Sequence, residues 1–386
     1  MKNAIPEHIR RILKRLDNAG YEAYIVGGCV RDIVIGRMPT DWDITTSADC
    51  SEVQSIFDYT APTGLKYGTV TVMCPEGDAQ VTTFRSDGPY LEGRHPESVE
   101  FLKDLKKDLE RRDFTINAMA MDINGNITDL FGGMKDIEQR VICCVGDPER
   151  RFREDALRML RGLRFSAQLG FEIESKTLIA MRRCASLTSV LSGERLREEI
   201  EKILLSERPE ILEKAADIGL LKHLFPCAGF ADLKRIRELP EDNSARWTAL
   251  CVSAGLGEIP AALRVDGKTA AKVRTAIRIV ERPSEKNNGA LYLLTVYGGE
   301  VLLCAAAAAY MCGDWRYDSF RRTAIECKPV KLAVVGTDIE EIGVPRGPEV
   351  GEMLDRLLSH VCGHPEENEK EHLKNLALKW AKGSER

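Results

Sequence analysis

Apolar positions recur every three to four residues between His8 and Ala19, at Ile9, Ile12, Leu13 and Leu16, and the run stops at Gly20. This spacing predicts an amphipathic helix ended by a glycine cap. The pattern then shortens. Glu22 to Val26 reads as a short buried strand, and Trp42 to Thr46 as another. Ser51 to Tyr59 predicts a short helix. Thr69 to Cys74 and Gln80 to Arg85 are rich in β-branched residues and predict two strands, separated by the turn cluster Pro75-Glu76-Gly77-Asp78. Ser86 to Pro96, full of glycine, proline and charge, predicts a long mobile loop. From about residue 150 the period becomes helical, with candidates over 151–168, 175–185, 193–205 and 208–217. The last 180 residues look all-α, with loops near Pro226, Pro283-Ser284 and Gly343 to Gly347. The pattern predicts a small mixed α/β head followed by a long helical region.

A length of 386 residues implies two or more domains, and 44% hydrophobic residues supply an ordinary core. The net charge of −5 is not the bulk signature of a nucleic-acid binder, so any such contact must use local basic patches. Two patches exist, Lys103 to Arg112 and Arg150 to Arg164. The twelve cysteines include no Cys-x-x-Cys, and adjacent Cys143-Cys144 suits neither zinc nor a short disulfide. Free thiols in a reducing cytosol, and no zinc, are therefore expected. Met1 to Pro6 has no apolar signal region, and the apolar run near Val301 to Met311 is too short to span a bilayer. A cytoplasmic protein without a membrane partner is expected.

The densest chemistry lies between residues 27 and 43. Gly27-Gly28 follows the first predicted strand and opens a helix-like stretch, which lets backbone N–H groups approach an anion. Arg31 adds a forked cation. Asp41 and Asp43 alternate around Trp42, so a strand here would turn both carboxylates to one face. Two carboxylates beside a bound triphosphate suit a hard divalent ion such as Mg2+. Alone, a glycine pair is usually a turn and Asp-x-Asp a solvated loop; together within seventeen residues they indicate phosphoryl transfer from a nucleoside triphosphate. There is no Gly-x-Gly-x-x-Gly after this strand, so a dinucleotide fold is excluded.

With Gly27-Gly28-Cys29-Val30-Arg31-Asp32 and Asp41-Trp42-Asp43, three further segments complete a recognisable set. They are Arg111-Arg112-Asp113-Phe114-Thr115-Ile116-Asn117-Ala118, Asp129-Leu130-Phe131-Gly132-Gly133 and Arg151 to Arg161. In this order the chain resembles the class II tRNA nucleotidyltransferases, the CCA-adding and poly(A) polymerase family, most clearly from about 20 to 205. The resemblance implies an α/β nucleotidyltransferase head, polymerase β-like, followed by an all-α neck, body and tail. The expected divisions are 1–140 head, 141–205 neck with base selection, 206–280 body and 281–386 tail binding tRNA. It implies metal on Asp41 and Asp43, which are also the catalytic pair. Nucleotide contacts are expected at Gly28, Arg31, Arg112, Asp155, Arg158, Arg161 and Arg164. The implied reaction is attack of a tRNA 3′-hydroxyl on the α-phosphate of CTP or ATP, with pyrophosphate leaving and metal ions about 3.5–4 Å apart assisting both oxygens. Relatives often carry a third carboxylate where this chain has Gln80, and Asp78 is the nearest substitute.

Base choice has its own reading. On one helix, Asp155 and Arg158 would face the same way. Cytosine and adenine both show an amino donor beside a ring-nitrogen acceptor, which a carboxylate and a guanidinium match; guanine and uracil reverse that polarity. Arg161 and Arg164 could instead meet the triphosphate or hold the neck. The loop pair Glu92 and Arg94 resembles the mobile element of CCA- and A-adding members, which CC-adding members lack. The rivals are addition of CC or A alone, poly(A) polymerase, and a non-catalytic RNA-binding module. Thr63-Gly64-Leu65-Lys66-Tyr67-Gly68 fits the CCA-adding pattern rather than the basic stretch of poly(A) polymerases.

Overall fold

The computed structural model describes residues 4–87, 99–101, 103–226, 229–230, 232–283 and 289–383. The chain divides into two compact units, Met1–Pro226 and Cys227–Arg386. Glu92 and Arg94 lie outside the described residues.

The first unit starts with α1 (Glu7–Asn18), which buries the apolar stripe Ile9, Ile12, Leu13 and Leu16. There follow β1 (Ala23–Val26), α2 (Gly28–Val34), β2 (Trp42–Thr46), α3 (Cys50–Ile56), β3 (Thr60–Gly64), β4 (Thr69–Val72) and β5 (Ala79–Thr83). β6 (Arg85–Asp87) and β7 (Val99–Phe101) form a separate antiparallel pair. Next come α4 (Leu105–Glu110), β8 (Met119–Met121), β9 (Ile127–Asp129) and α5 (Gly133–Gln139). Seven strands make one sheet in the order β3-β4-β5-β2-β1-β8-β9. β2 is the middle strand, antiparallel to β1 and parallel to β5. It is therefore covered on both edges, and Ile44, Thr45 and Thr46 are buried. The segment from Phe114 to Met121 is not helical. A 3₁₀ turn over Thr115–Asn117 leads straight into β8.

Beyond residue 140 the unit is mainly helical: α6 (Pro148–Glu154), α7 (Leu157–Leu169), α8 (Ser175–Cys184), α9 (Gly193–Leu204) and α10 (Ile211–Asp217). It is not purely so, because β10 (Val141–Ile142) and β11 (Glu172–Ile173) pair in parallel. The single helix expected over 151–168 is also broken. Asp155 is extended, at φ −145° and ψ 107°, and its Oδ1 accepts the N–H of Leu157 at 3.0 Å. A short carboxylate that bonds the backbone two residues on ends one helix and begins the next. α7 then packs tightly on Phe114. A Cβ at Gly162 would come within 2.7 Å of that ring and 2.8 Å of Met181, so the helix can approach only with glycine there.

The second unit is helical among its described residues. α11 (Asn243–Ser253), α12 (Gly267–Glu281), α13 (Ala290–Tyr297) and α15 (Tyr317–Glu326) surround α14 (Gly299–Cys312), whose alanines 305–309 are buried. Small side chains all round a helix let several neighbours pack close to its axis. A second core joins α16 (Gly336–Glu341), α17 (Pro348–Gly363) and α18 (Lys370–Gly383) through Ile339, Leu357 and Leu373. Asp338 caps α16 by accepting the Val335 N–H at 3.0 Å, and pairs with Lys370 at 2.7 Å. No described helix is long and apolar enough to cross a membrane.

Candidate nucleotide-binding site

The end of β1, the start of α2, β2, the stretch after α4, and α7 and α9 open onto one cavity of about 490 Å³. Its lining holds eight arginines (Arg31, Arg85, Arg111, Arg112, Arg158, Arg161, Arg164 and Arg195) against three aspartates, Asp43, Asp113 and Asp155. Gly27, Gly28, Asn117, Leu157 and Phe165 complete it. An excess of fixed guanidinium charge in a concave site suits a polyanion.

Gly27 has φ +77°, and a Cβ on it would meet Arg112 Nη1 at 3.0 Å and Asp43 Oδ2 at 3.8 Å. The glycine thus brings the backbone against a carboxylate and a guanidinium together, a conformation that an L side chain rarely adopts. Gly28 begins α2, and Arg31 lies one turn on. The Arg31 guanidinium donates to Asn117 Oδ1 at 2.8 Å and to Asp32 Oδ1 at 2.9 Å. Burial pushes the Asp43 carboxyl above its ordinary value; Arg112 opposes this and Asp41 adds to it. Asp41 precedes β2 and is exposed, whereas Asp43 is half-buried. The two are electrostatic neighbours, but only Asp43 lines the cavity. A half-buried, crowded carboxylate of this kind has the chemistry to hold a divalent cation. Gln80 stands beside Asp43 in the parallel register of β5, and is an amide. Asp78 Oδ1 accepts the Cys74 N–H at 3.3 Å, which occupies it in the β4–β5 turn.

Sequence reasoning missed Asp108, the anchor of this site. Its side chain is fully buried. Arg111 donates to Oδ1 through Nε at 3.0 Å and Nη2 at 2.9 Å, and Arg112 Nη2 reaches Oδ2 at 3.3 Å. Thr45, two residues after Asp43, donates to the same Oδ2 at 3.3 Å. Burial works to raise the Asp108 pKa, but the two arginines outweigh it and hold the carboxyl below its usual value. A carboxylate three and four residues ahead of an Arg-Arg pair was the available signal. Asp113 accepts from Arg161 Nε at 2.7 Å and from the Phe114 N–H at 2.9 Å. Burial would raise it, yet Arg161 and Arg158 and these hydrogen bonds bring it to about 2.

The base-selection pair is placed differently from expectation. Asp155 lies in the break between α6 and α7, and Arg158 in the first turn of α7, so no common helix face presents them. Both still line the cavity. Asp155 Oδ2 accepts from Arg195 Nη2 at 2.8 Å, a partner on α9 that the sequence did not reveal. Arg158 is buried; its Nη1 bonds Glu154 at 2.6 Å and its Nη2 the Arg111 carbonyl at 3.1 Å. Arg151 also bonds the Glu110 carbonyl, so two guanidinium groups cap the end of α4. Arg164 pairs with Glu199 at 3.3 Å. Phe165 is buried and also lines the cavity, with Arg31, Arg161 and Arg164 at 5.3, 5.5 and 4.5 Å from its ring centre. Arg112 Nε and Arg195 Nη1 are buried and have no hydrogen-bond partner among the described residues.

Known proteins are similar to this chain in sequence and in fold. Residues 23–143 match the Poly A polymerase head domain, and 170–229 match the probable RNA and SrmB-binding site of polymerase A. The CCA-adding enzyme of Geobacillus kaustophilus is 41% identical over 94% of this chain and 94% of its own length. The chain belongs to the CCA-adding enzyme family. That of Limosilactobacillus fermentum is 36% identical, with 92% of each chain covered. The crystal structure of the Bacillus stearothermophilus CCA-adding enzyme in complex with CTP superposes with a TM-score of 0.80, at 35% identity over 97% of both chains. A Thermotoga maritima CCA-adding enzyme complexed with tRNA shares the fold, with a TM-score of 0.71 at 23% identity. The α/β head and helical remainder inferred from the resemblance are those of this family. Its nucleotidyltransferases generally use divalent metal ions.

Proposed function

We propose that this chain adds cytidine, cytidine and adenosine to the tRNA 3′ end without a nucleic-acid template, using CTP and ATP and releasing pyrophosphate. One observation carries the reading: the relatives matched over nearly the whole chain are CCA-adding enzymes, and this chain keeps an arginine-lined cavity with Asp43 at one side and Asp155 and Arg158 at another.

In this reading Arg31 and Arg112, with the N–H groups after Gly27, hold the triphosphate. Asn117 and Asp108 fix those two guanidinium groups in place. Asp41 and Asp43 would hold Mg2+, which when bound polarises the α-phosphate and favours the ionised 3′-hydroxyl. Asp155 retains acceptor capacity for a base amino group, because each of its oxygens is engaged by one donor. Arg158 donates to the ring nitrogen from a guanidinium already steadied by Glu154. Arg161 and Arg164 line the same cavity from anchors on Asp113 and Glu199, which supports a joint role in holding the neck and neutralising phosphate. The head, neck, body and tail divisions at 140, 205 and 280 belong to this proposal, with tRNA docking beyond 206 and a cytoplasmic setting.

The test is incorporation of each labelled nucleotide on tRNA lacking CCA, tRNA ending in CC, and an unrelated RNA. CTP and ATP used in order on tRNA supports the proposal. Long A tails on any RNA would assign the chain to poly(A) synthesis, and product stopping at CC, or A added only to CC ends, would assign it to a partial activity.

A further inference from the structure

The corner between α17 and α18 brings three metal-binding side chains to one point. His360 lies in the last turn of α17, Glu367 closes a 3₁₀ turn, and His372 lies in the first turn of α18. His360 Nε2 and His372 Nε2 approach the same oxygen, Glu367 Oε2, at 2.7 and 3.0 Å. One ligand atom from each residue lies within 4.8 Å of the others. Tetrahedral zinc, with bonds of about 2.0–2.2 Å, needs its ligand atoms about 3.3 Å apart, so each imidazole nitrogen would move back from Glu367 Oε2 by about half an ångström to admit an ion.

Two further features favour a cation over a plain hydrogen-bonded triad. Glu367 has no lysine or arginine partner among the described residues, so its negative charge is offset only by imidazoles. The His360 ring is stacked on His364 at 4.6 Å and 21°, with the edge of Trp380 at 5.8 Å. The packing limits the rotation of His360.

We infer that His360, Glu367 and His372 form a second metal site, for a borderline divalent cation of the zinc class, which clips α17 to α18. Two imidazoles and one carboxylate select such an ion over magnesium, which prefers oxygen ligands and water. The expectation of no zinc rested on cysteine spacing, and does not reach this histidine cluster.

The experiment uses the full chain without a histidine tag, treated with chelator, in an Asp41→Ala/Asp43→Ala background that removes the other carboxylate pair. Calorimetric titration with Zn2+ should show one equivalent, Co2+ should give a visible absorption band, and saturating Zn2+ should raise the melting temperature. All three effects should disappear in His372→Ala; if that variant fails to fold, His372→Gln replaces it. A chain that takes up no Zn2+, or that keeps its equivalent after His360 and His372 are both replaced, would overturn the inference.

Discussion

Replacing Asp108 tests whether a buried carboxylate that touches no substrate sets the geometry of the site. In Asp108→Ala two guanidinium groups and the Thr45 hydroxyl lose their common acceptor. Removing one partner of a buried pair costs about 3–5 kcal/mol. The arginine side chains keep 17% and 18% exposure, so water recovers part of this, and a stability loss of about 2–4 kcal/mol is expected. Asp108→Asn keeps the shape and removes the charge, and is the variant for kinetics. Arg112 then loses a charge-assisted tether worth about 1.5–3 kcal/mol, which predicts a fall in kcat/KM of about 10- to 150-fold. The loss should be equal for CTP and ATP, because in the proposed function Asp108 acts through Arg112 on the triphosphate and not on the base. The assay is single-nucleotide addition at varied substrate, with melting curves to count only folded protein. A double-mutant cycle with Arg112→Lys should be non-additive. Full additivity, or wild-type kinetics in Asp108→Asn, would refute the claim that Asp108 works through Arg112.

Asp41→Ala or Asp43→Ala should abolish addition of both nucleotides while the melting curve persists; turnover near wild type in either folded variant would remove the metal-ligand assignment. Asp155→Ala or Arg158→Ala should lower the preference for CTP and ATP over UTP and GTP by about 1–3 kcal/mol, whereas an equal loss for all four nucleotides would mark a structural or phosphate role. Glu92→Ala with Arg94→Ala should spare most CC addition and impair the final A, read as product length at single-nucleotide resolution; wild-type CCA would show the loop to be dispensable. Asp113 has its folded pKa lowered from 3.8 to about 2, so its contribution to stability is full above about pH 4 and disappears as pH falls through about 2. Asp113→Asn should therefore destabilise the protein at neutral pH and match wild type at the acid limit; a deficit independent of pH would mean that packing, not charge, is lost.

Local pattern made the strands visible, because β1, β2, β4 and β5 each bury alternate or continuous apolar residues over a few positions. It also made the glycine pair and the Asp-x-Asp legible, since their chemistry is concentrated in one short segment. What stayed hidden was long-range pairing. Nothing in the period of residues 105–112 says that Asp108 turns inward to meet Thr45, sixty-three positions away. Arg195 and Glu199 lie within the helix expected over 193–205, and nothing in its period marks them as the partners that α9 supplies to Asp155 and Arg164. The break at Asp155 escaped for a different reason. Helical periodicity continues across it, and only the side-chain bond to Leu157 distinguishes two helices from one.

The middle position of β2 also bears on how the protein is made. Its parallel neighbour β5 follows some thirty-five residues later, and β1 waits for β8 beyond residue 118 to cover its other edge. Arg195 and Glu199 emerge later still. At about 5–20 residues per second of synthesis, roughly 8–30 s separate the appearance of Asp43 from that of α9. A chain released before α9 would carry the aspartates and the glycine pair without a complete cavity around them, so the candidate site is a property of a chain that extends through α9 and of no fragment that stops short of it.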